Sequence, residues 1–133
     1  MEFFIPGRPK PKERARVGYS SKRRKFFSYT PQNTVLAEDN IRGFVIEKLR
    51  HNHFPFEIPI KMNVIFIFKP AKKTKLKKPP LPDGDNLLKT LWDALNGILY
   101  KDDTWVVEFH VAKRWAVDDE AEGIWFQLEP LSD

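Results

Sequence analysis

The chain has 133 residues, a hydrophobic fraction of 41%, no Cys and a net charge of +5. This length predicts one domain, spanning residues 1–133, with a real hydrophobic core. The lack of Cys excludes disulfides, thiolate metal sites and Cys nucleophiles, and it fits a reducing compartment. No apolar run approaches the roughly 18 residues that span a bilayer, and no signal-peptide pattern precedes the first strand. We therefore expect a cytoplasmic protein with no membrane partner.

Charge is unevenly distributed along the chain. Residues 1–30 carry nine Lys/Arg against two Asp/Glu, residues 69–80 carry six Lys and no acid, and residues 81–133 carry four Lys/Arg against twelve Asp/Glu. Basic segments that flank an acidic one suit a nuclease or phosphotransferase, although a Lys-rich loop can also be merely solvated. The candidate DNA-binding residues are Lys10, Lys12, Arg14, Arg16, Arg23, Arg24, Lys72, Lys73 and Lys75.

The first half of the chain predicts a strand, an irregular segment and a helix. Residues 2–5 form the strand, and residues 7–28 predict either an irregular loop or a loose hairpin around residues 17–20. Thr30 and Pro31 predict the start of a helix, with Thr30 as N-cap, that runs to about residue 50. Its predicted apolar stripe comprises Val35, Ile41, Phe44, Val45 and Leu49.

The second half predicts a strand, a helix and two more strands. Residues 58–68 are rich in β-branched and aromatic residues and predict a central strand. Asp85 is expected to cap a helix over residues 86–98, whose apolar side is Leu87, Leu88, Leu91, Ala94, Leu95 and Ile98. Strands follow at residues 105–115, with Val107, Phe109 and Val111 facing one way, and at 123–128. The order β-α-β-α-β-β predicts a single small α+β domain, a mixed sheet packed against two helices.

Polar residues of the second predicted helix share one face. Asp85, Lys89, Asp93 and Asn96 are spaced four, four and three apart, which places them opposite the leucines. Asp83 lies just before this helix, and Gly84 lets the backbone bend so that both Asp side chains point together.

A second acidic pair, Asp102-Asp103, follows the helix, and a returning strand can bring Asp103 back to the other carboxylates. Converging carboxylates favour Mg²⁺, with Mn²⁺ as an alternative, and such a site suits phosphodiester hydrolysis with Lys89 stabilising the developing charge. No Gly-rich phosphate loop is present, and no small-molecule cofactor is expected.

Simpler roles remain open for the same residues. Asp85 can be an ordinary helix cap that pairs with Lys89, and Asp93 can serve only as a partner of Lys89. Asp102 can be a turn residue, because Lys-Asp-Asp after a helix is common turn chemistry. Asp93 and Asp102 are therefore second-tier candidates.

Two segments resemble a known family. Residues 82–103, with Val106 and Val107, resemble the signature D-x-D-N-x-x-K, D-A-L, D-D-x-x-V of RusA-type Holliday junction resolvases. Residues 5–16 are similar to the P-G-x-P-x-P-K-x-R-x-R opening of many members. The resemblance spans essentially the whole chain. It implies a RusA-like fold and a Mg²⁺-dependent homodimeric endonuclease that resolves four-way DNA junctions by paired symmetric cuts in recombination and repair, in a bacterium, phage or prophage.

The resemblance also assigns residues. The metal-binding acids of the family fall on Asp83, Asp85 and Asp103, with Asp102 as the rival of Asp103, and the catalytic Lys falls on Lys89. Two other functions compete with junction resolution: a broader nuclease for flaps or branched DNA with the same fold, and a non-catalytic DNA-binding module. Tyr19, Phe26 or Phe27 can stack on unpaired bases at the crossover, or can instead pack against their own strand.

Overall fold

The computed structural model of the protein describes residues 1–50, 55–70 and 83–131. Its elements in chain order are β1 (Glu2–Pro6), β2 (Arg16–Ser20), β3 (Lys25–Tyr29), α1 (Gln32–Leu49), β4 (Ile60–Phe68), α2 (Gly84–Leu95), β5 (Val106–Trp115) and β6 (Gly123–Pro130). The predicted α+β domain with a mixed sheet and two helices is confirmed. Lys72, Lys73 and Lys75 lie outside the described residues.

The main sheet has four strands in the order β1-β6-β4-β5. Strand β4 is central, as predicted, and pairs antiparallel with β6 and parallel with β5. The parallel pair is possible because α2 carries the chain back between β4 and β5. Alternate residues of β4 are fully buried and join residues of both helices in one core cluster, namely Ile60, Met62, Val64, Phe66 and Phe68.

Helix α2 keeps the predicted apolar side but begins earlier than predicted. Its buried residues include Leu87, Leu88, Leu91, Ala94 and Leu95. The N-cap is Asp83, whose carbonyl oxygen accepts a hydrogen bond from the Leu87 backbone N at 3.2 Å, so the prediction of Asp85 as the cap was wrong. Asp85 lies in the first turn instead. The helix ends at Leu95, and Gly97 adopts the positive φ of +79° that the following turn requires.

Helix α1 differs from its predicted pattern. Pro31 rather than Thr30 is the N-cap. Ile41 and Val45 are buried, but Val35 and Phe44 are exposed. The other two buried positions, Thr34 and Glu38, hold polar side chains because they form hydrogen bonds with Glu13 and Lys12 of the segment between β1 and β2.

The segment before α1 forms a hairpin. Strands β2 and β3 pair with each other over residues 16–20 and 25–29 and form their own two-stranded sheet. This resolves the two predicted alternatives in favour of a hairpin and adds two strands to the predicted order. The predicted centre at residues 17–20 was wrong, because these residues lie in β2 and the turn is formed by residues 21–24.

Strand β5 is an edge of the main sheet in the described part of the chain. Val107, Phe109 and Val111 are 37–55% exposed. The rings of Phe109 and Trp92 of α2 meet edge to face, with centroids 5.0 Å apart. The helices therefore cover β5 incompletely. Neither described helix has the length and apolar character needed to cross a bilayer.

Candidate active site

The exposed face of α2 carries the predicted polar residues. Asp85 and Lys89 are exposed, whereas Asp93 and Asn96 are half-buried. This face lies opposite the buried leucines, because the helical period separates the two sets of positions. The amphipathic sequence of α2 therefore fixes which side chains are offered to a ligand.

The N-terminal end of α2 is open. Asp83 and Asp85 are exposed, and Asp83 makes no side-chain capping hydrogen bond. In the described part of the chain, neither these two carboxylates nor the Lys89 ammonium takes part in an ion pair. Their charges are therefore not neutralised by one another or by a neighbour described here.

The C-terminal end of α2 holds Asp103. The Asn96 amide Nδ2 donates to Asp103 Oδ2 at 3.3 Å. The other amide atom, Asn96 Oδ1, is buried and has no hydrogen-bond partner among the described atoms. Because a buried carbonyl oxygen without a donor is costly, this atom marks a place where a ligand or cation would be favourable.

Asp102 has a local structural contact. Its carboxylate accepts a hydrogen bond from the Thr104 backbone N at 3.2 Å and caps the short 3₁₀ turn Asp103–Trp105. This hydrogen bond lowers the pKa of Asp102 below its usual range. The geometry matches the turn role that sequence left open.

Tyr100 reports how the acids are grouped. Burial raises the pKa of its hydroxyl, and the charges of Asp103, Asp93 and Asp102 raise it further. The hydroxyl donates to the Trp92 carbonyl oxygen at 3.2 Å. Tyr100 is thus buried near Asp93, Asp102 and Asp103, close to the C-terminal end of α2.

The predicted convergence of Asp83, Asp85 and Asp103 is not seen. Asp103 is bonded to Asn96, which lies about 16 Å along the helix from Asp85 at 1.5 Å per residue. Among residues 1–50, 55–70 and 83–131, no three Asp, Glu or His side chains are close enough to hold a metal ion. The role of these three residues as metal ligands stays a prediction.

Lys12 is held by carboxylates. Its Nζ lies 2.6 Å from Glu38 Oε1 and 3.2 Å from Asp93 Oδ2, and its side chain is 27% exposed. Burial acts against the charged ammonium, but the hydrogen bonds to Glu38 and Asp93 outweigh it and raise the pKa of Lys12. The alternative in which Asp93 pairs with Lys89 is therefore wrong, and Lys12 joins two helices rather than standing free for a phosphate.

Two residues of this network were missed by sequence reasoning. Glu38 is buried on α1, and Arg42 donates to the Ala94 carbonyl at 3.1 Å and the Asp93 carbonyl at 3.3 Å. Arg42 thereby satisfies carbonyls at the last turn of α2. A signal existed for Glu38, since it falls three and seven residues before the apolar Ile41 and Val45 and so shares their helical face.

The other predicted DNA contacts that the structure describes are exposed, namely Lys10, Arg14, Arg16, Arg23 and Arg24. Arg16 lies 3.4 Å from Glu13 in an exposed pair, which contributes little. The segment that leads to the hairpin is fastened beside α2, because the Lys12 backbone N donates to the Asn86 carbonyl at 2.9 Å. The segment that precedes the basic hairpin therefore lies beside the first turn of α2.

Fold and site together define a small α+β protein in which an acidic helix face lies near a basic, exposed hairpin. The family model of endodeoxyribonuclease RusA matches residues 6–122, which is most of the chain. The protein therefore belongs to the RusA endodeoxyribonuclease family. Over 52 residues it is 40% identical to YqaN of Bacillus subtilis (strain 168), a protein described as uncharacterized. That alignment covers 39% of this chain and 37% of YqaN, so the chain matches well under half of its relative.

Proposed function

We propose that this protein is a Mg²⁺-dependent endodeoxyribonuclease that resolves four-way DNA junctions by paired symmetric cuts, in recombination and repair. One observation carries the proposal beyond family membership. Asp83, Asp85 and Lys89 stand exposed at one end of α2, without ion pairs among the described residues, and the segment that leads to a hairpin rich in Lys and Arg is bonded to Asn86 of the same turn. Carboxylates that a fold leaves unneutralised suit a cation, and the basic hairpin suits the phosphates of its substrate.

The donor set fits a hard divalent cation. Asp83, Asp85 and Asp103 offer only carboxylate oxygens, and Asn96 Oδ1 is buried without a partner beside Asp103. The bound metal would supply an activated water and neutralise charge at the scissile phosphate. Mn²⁺ accepts the same ligands and is expected to substitute.

The residues of the chain itself have distinct tasks. Lys89 presents an exposed ammonium one turn from Asp85, where it can stabilise negative charge that develops on the phosphate. Arg14, Arg23 and Arg24 bind flanking phosphates and position the strand without reading its sequence.

A homodimer explains the separation of the acids. Within one chain, Asp103 is tied to the far end of α2 from Asp83 and Asp85, about 16 Å along the axis. A two-fold axis that placed two α2 helices antiparallel would bring Asp103 of one copy beside Asp83 and Asp85 of the other. Two such composite sites would also give the paired cuts that one acidic centre cannot.

The exposed edge of the sheet suits this arrangement. Strand β5 is ten residues long and unpaired on one side in the described structure, and its exposed Val107, Phe109 and Val111 form an apolar row next to α2. Antiparallel pairing of two β5 strands would continue the sheet across the two-fold axis. It would set the two α2 helices side by side and antiparallel on one face, as the composite site needs.

Cleavage assays test the proposal. Wild-type protein should nick a synthetic four-way junction only with Mg²⁺ or Mn²⁺, and Asp85→Asn should lose about 100-fold or more in cutting while retaining binding. Flap, junction and linear duplex DNA compared in one gel separate a strict resolvase from a broader branch nuclease. If the protein binds DNA but cleaves none of these substrates at any metal concentration, the nuclease proposal is wrong and the protein is a non-catalytic DNA-binding module.

Mixing two inactive variants tests the shared site. A dimer of Asp85→Asn with Asp103→Asn has one intact composite site, because the unchanged Asp85 of one copy meets the unchanged Asp103 of the other. Random re-association should restore about a quarter of the wild-type nicking sites. If every site uses acids of a single chain, both copies stay inactive and mixing restores nothing.

A further inference from the structure

The β2–β3 hairpin exposes aromatic rings to an unusual degree. Phe26 is 76% and Tyr19 is 56% exposed, and Phe27, Tyr29 and Val17 are exposed as well. The two strands pair with each other and not with the main sheet. Isolated two-stranded ribbons are marginally stable in water, so rings on such a ribbon are placed where a ligand can complete their burial.

The rings form one platform on each side of the ribbon. Tyr19 and Phe26 lie directly opposite each other in the register, with centroids 5.1 Å apart. On the other side, Phe27 and Tyr29 have centroids 5.8 Å apart. Each ring therefore has one neighbour and keeps much of its surface open.

Gly18 shapes the second platform. It lies opposite Phe27, and a Cβ at this position would come within 2.5 Å of the tip of the Phe27 ring. The absence of a side chain allows the ring to lie across the backbone of the ribbon. Any larger residue would push Phe27 away and tilt the platform.

Charge surrounds the platforms. From residue 14 to residue 37 the sequence has six Lys/Arg and no Asp/Glu. At the hairpin tip, an open cleft of about 360 Å³ is lined by Ser20, Arg23, Lys25, Phe26 and Phe27. A cation next to an aromatic ring can bind a nucleotide, because the cation pairs with the phosphate and the ring stacks on the base. A second copy of this hairpin fits poorly, because it would bring like charges together.

The hairpin is anchored near the open end of α2. Before it, the Lys12 backbone N donates to the Asn86 carbonyl at 2.9 Å, and the Glu13 backbone N donates to Thr34 Oγ1 at 3.1 Å. These bonds fix the root of the hairpin against both helices. The segment that leads into the hairpin therefore contacts the first turn of α2, next to Asp85.

We propose that the Tyr19–Phe26 pair of the β2–β3 hairpin stacks on unpaired DNA bases at the point where strands exchange. This inference rests on the proposed function, since it takes branched DNA as the substrate. In intact duplex every base is already stacked, so the rings gain nothing there. At a branch point, an unstacked base can displace water from the aromatic rings and stack on them. The hairpin therefore binds branched DNA more tightly than duplex DNA.

Binding measured without divalent metal tests the inference, because no cleavage then interferes. The probes are a four-way junction with 2-aminopurine at the crossover, a duplex with a short single-stranded gap that carries 2-aminopurine, and a linear duplex of one arm. Wild-type protein should quench 2-aminopurine in the first two probes. Phe26→Ala and Tyr19→Ala should each weaken binding to these probes about tenfold, abolish quenching and leave duplex affinity unchanged.

Matched variants separate stacking from other effects. Val17→Ala removes an exposed apolar side chain from the same side of the ribbon and should change neither affinity nor quenching. Phe26→Leu keeps apolar bulk but lacks a π face, so it should behave like Phe26→Ala with an unchanged circular dichroism spectrum. Equal losses on junction and duplex, or quenching that survives both Phe26 variants, would overturn the inference.

Failure of the proposed function is distinguishable. If wild-type protein quenches the probes but never cuts with Mg²⁺, the nuclease proposal fails and the stacking platform stands. If it cuts junctions but the Phe26 and Tyr19 variants bind every probe like wild type, the platform fails and the nuclease stands. Anionic lipid vesicles that bind wild type as tightly as the junction does, and lose binding in Phe26→Ala, would assign the rings to a membrane surface instead and overturn the inference.

Discussion

The two ends of α2 differ in how their charges are held. At the N-terminal end, Asp83, Asp85 and Lys89 are exposed and form no ion pair among the described residues. At the C-terminal end, Asp93 is bridged by Lys12, and Asp103 accepts from Asn96. One helix therefore carries charges without an ion-pair partner among the described residues at one end, and charges that join it to its neighbours at the other.

Lys12 and Lys89 illustrate what this difference teaches. Both come from family-like motifs and have the same side chain, but Lys12 lies between Glu38 and Asp93 whereas Lys89 faces solvent. A partly buried ammonium with two carboxylates is part of the fold, and an exposed one without a partner is available for chemistry. Substitutions at the two positions should accordingly fail in different ways.

The largest effect is expected at the open end. Lys89→Gln should lower junction cleavage about 100-fold, because in the proposed mechanism it removes the positive charge that stabilises the transition state. Its melting temperature should match that of wild type, since the side chain is exposed. Single-turnover cleavage and thermal unfolding measured on one preparation check both statements, and a marked loss of stability would show that Lys89 also braces the fold.

A smaller effect, on stability rather than catalysis, is expected at the braced end. Lys12→Met should cost about 2 kcal/mol, because it leaves Glu38, which is 11% exposed, without its closest cation; Arg42 at 3.6 Å offsets part of the loss. The change should lower the melting temperature by about 5–10 °C. Lys10→Met is the matched control, since Lys10 is exposed and lies two residues away. Equal melting temperatures for the two variants would contradict the bridging role.

The pH dependence of the Lys12 bridge has a definite sign. The pKa of Lys12 is raised above its ordinary value of 10.5 in the fold. Its stabilising contribution is therefore complete below pH 10.5 and is lost as pH rises through the folded pKa. The free energy of unfolding, measured in urea, should differ between wild type and Lys12→Met by an amount that is constant from neutral pH to about pH 10 and decreases above it. A difference in unfolding free energy that increased with pH would contradict the stabilising role of the charged Lys12 ammonium.

The smallest effect is expected for Asp102→Asn. The Asp102 carboxylate is exposed, and it accepts a hydrogen bond from the Thr104 backbone N within its own turn. The amide oxygen of Asn can accept the same hydrogen bond. Cleavage should stay within about twofold of wild type, whereas Asp103→Asn should abolish it. The reverse result would make Asp102 the metal ligand, the rival that the sequence left open.

Sequence predicted those elements whose patterns are local. The apolar residues of β4 and the leucines of α2 are spaced to form a buried strand and an amphipathic helix, and both are found. The exposed face of Asp85 and Lys89 follows from the same period. These features depend on spacing along one element, which the sequence displays directly.

Long-range contacts account for what sequence did not predict. Thr34 and Glu38 take buried positions on α1 because Glu13 and Lys12, far away in sequence, reach them. The alternation of β5 was recognised, but its exposure depends on how far the helices extend over the sheet. The place of Asp103 depends on a turn that ties it to Asn96 rather than returning it toward Asp85.

The two outer strands of the main sheet have a consequence for handling this protein at high concentration. Strand β5 has ten residues, whereas the opposite outer strand, β1, has five and ends in Pro6. Pairing β5 with β5 closes after two copies, but pairing β5 of one copy with β1 of the next would propagate without limit into a fibre. The short length and terminal proline of β1 disfavour the open-ended route, so concentrated stocks should stop at a finite assembly rather than precipitate as filaments.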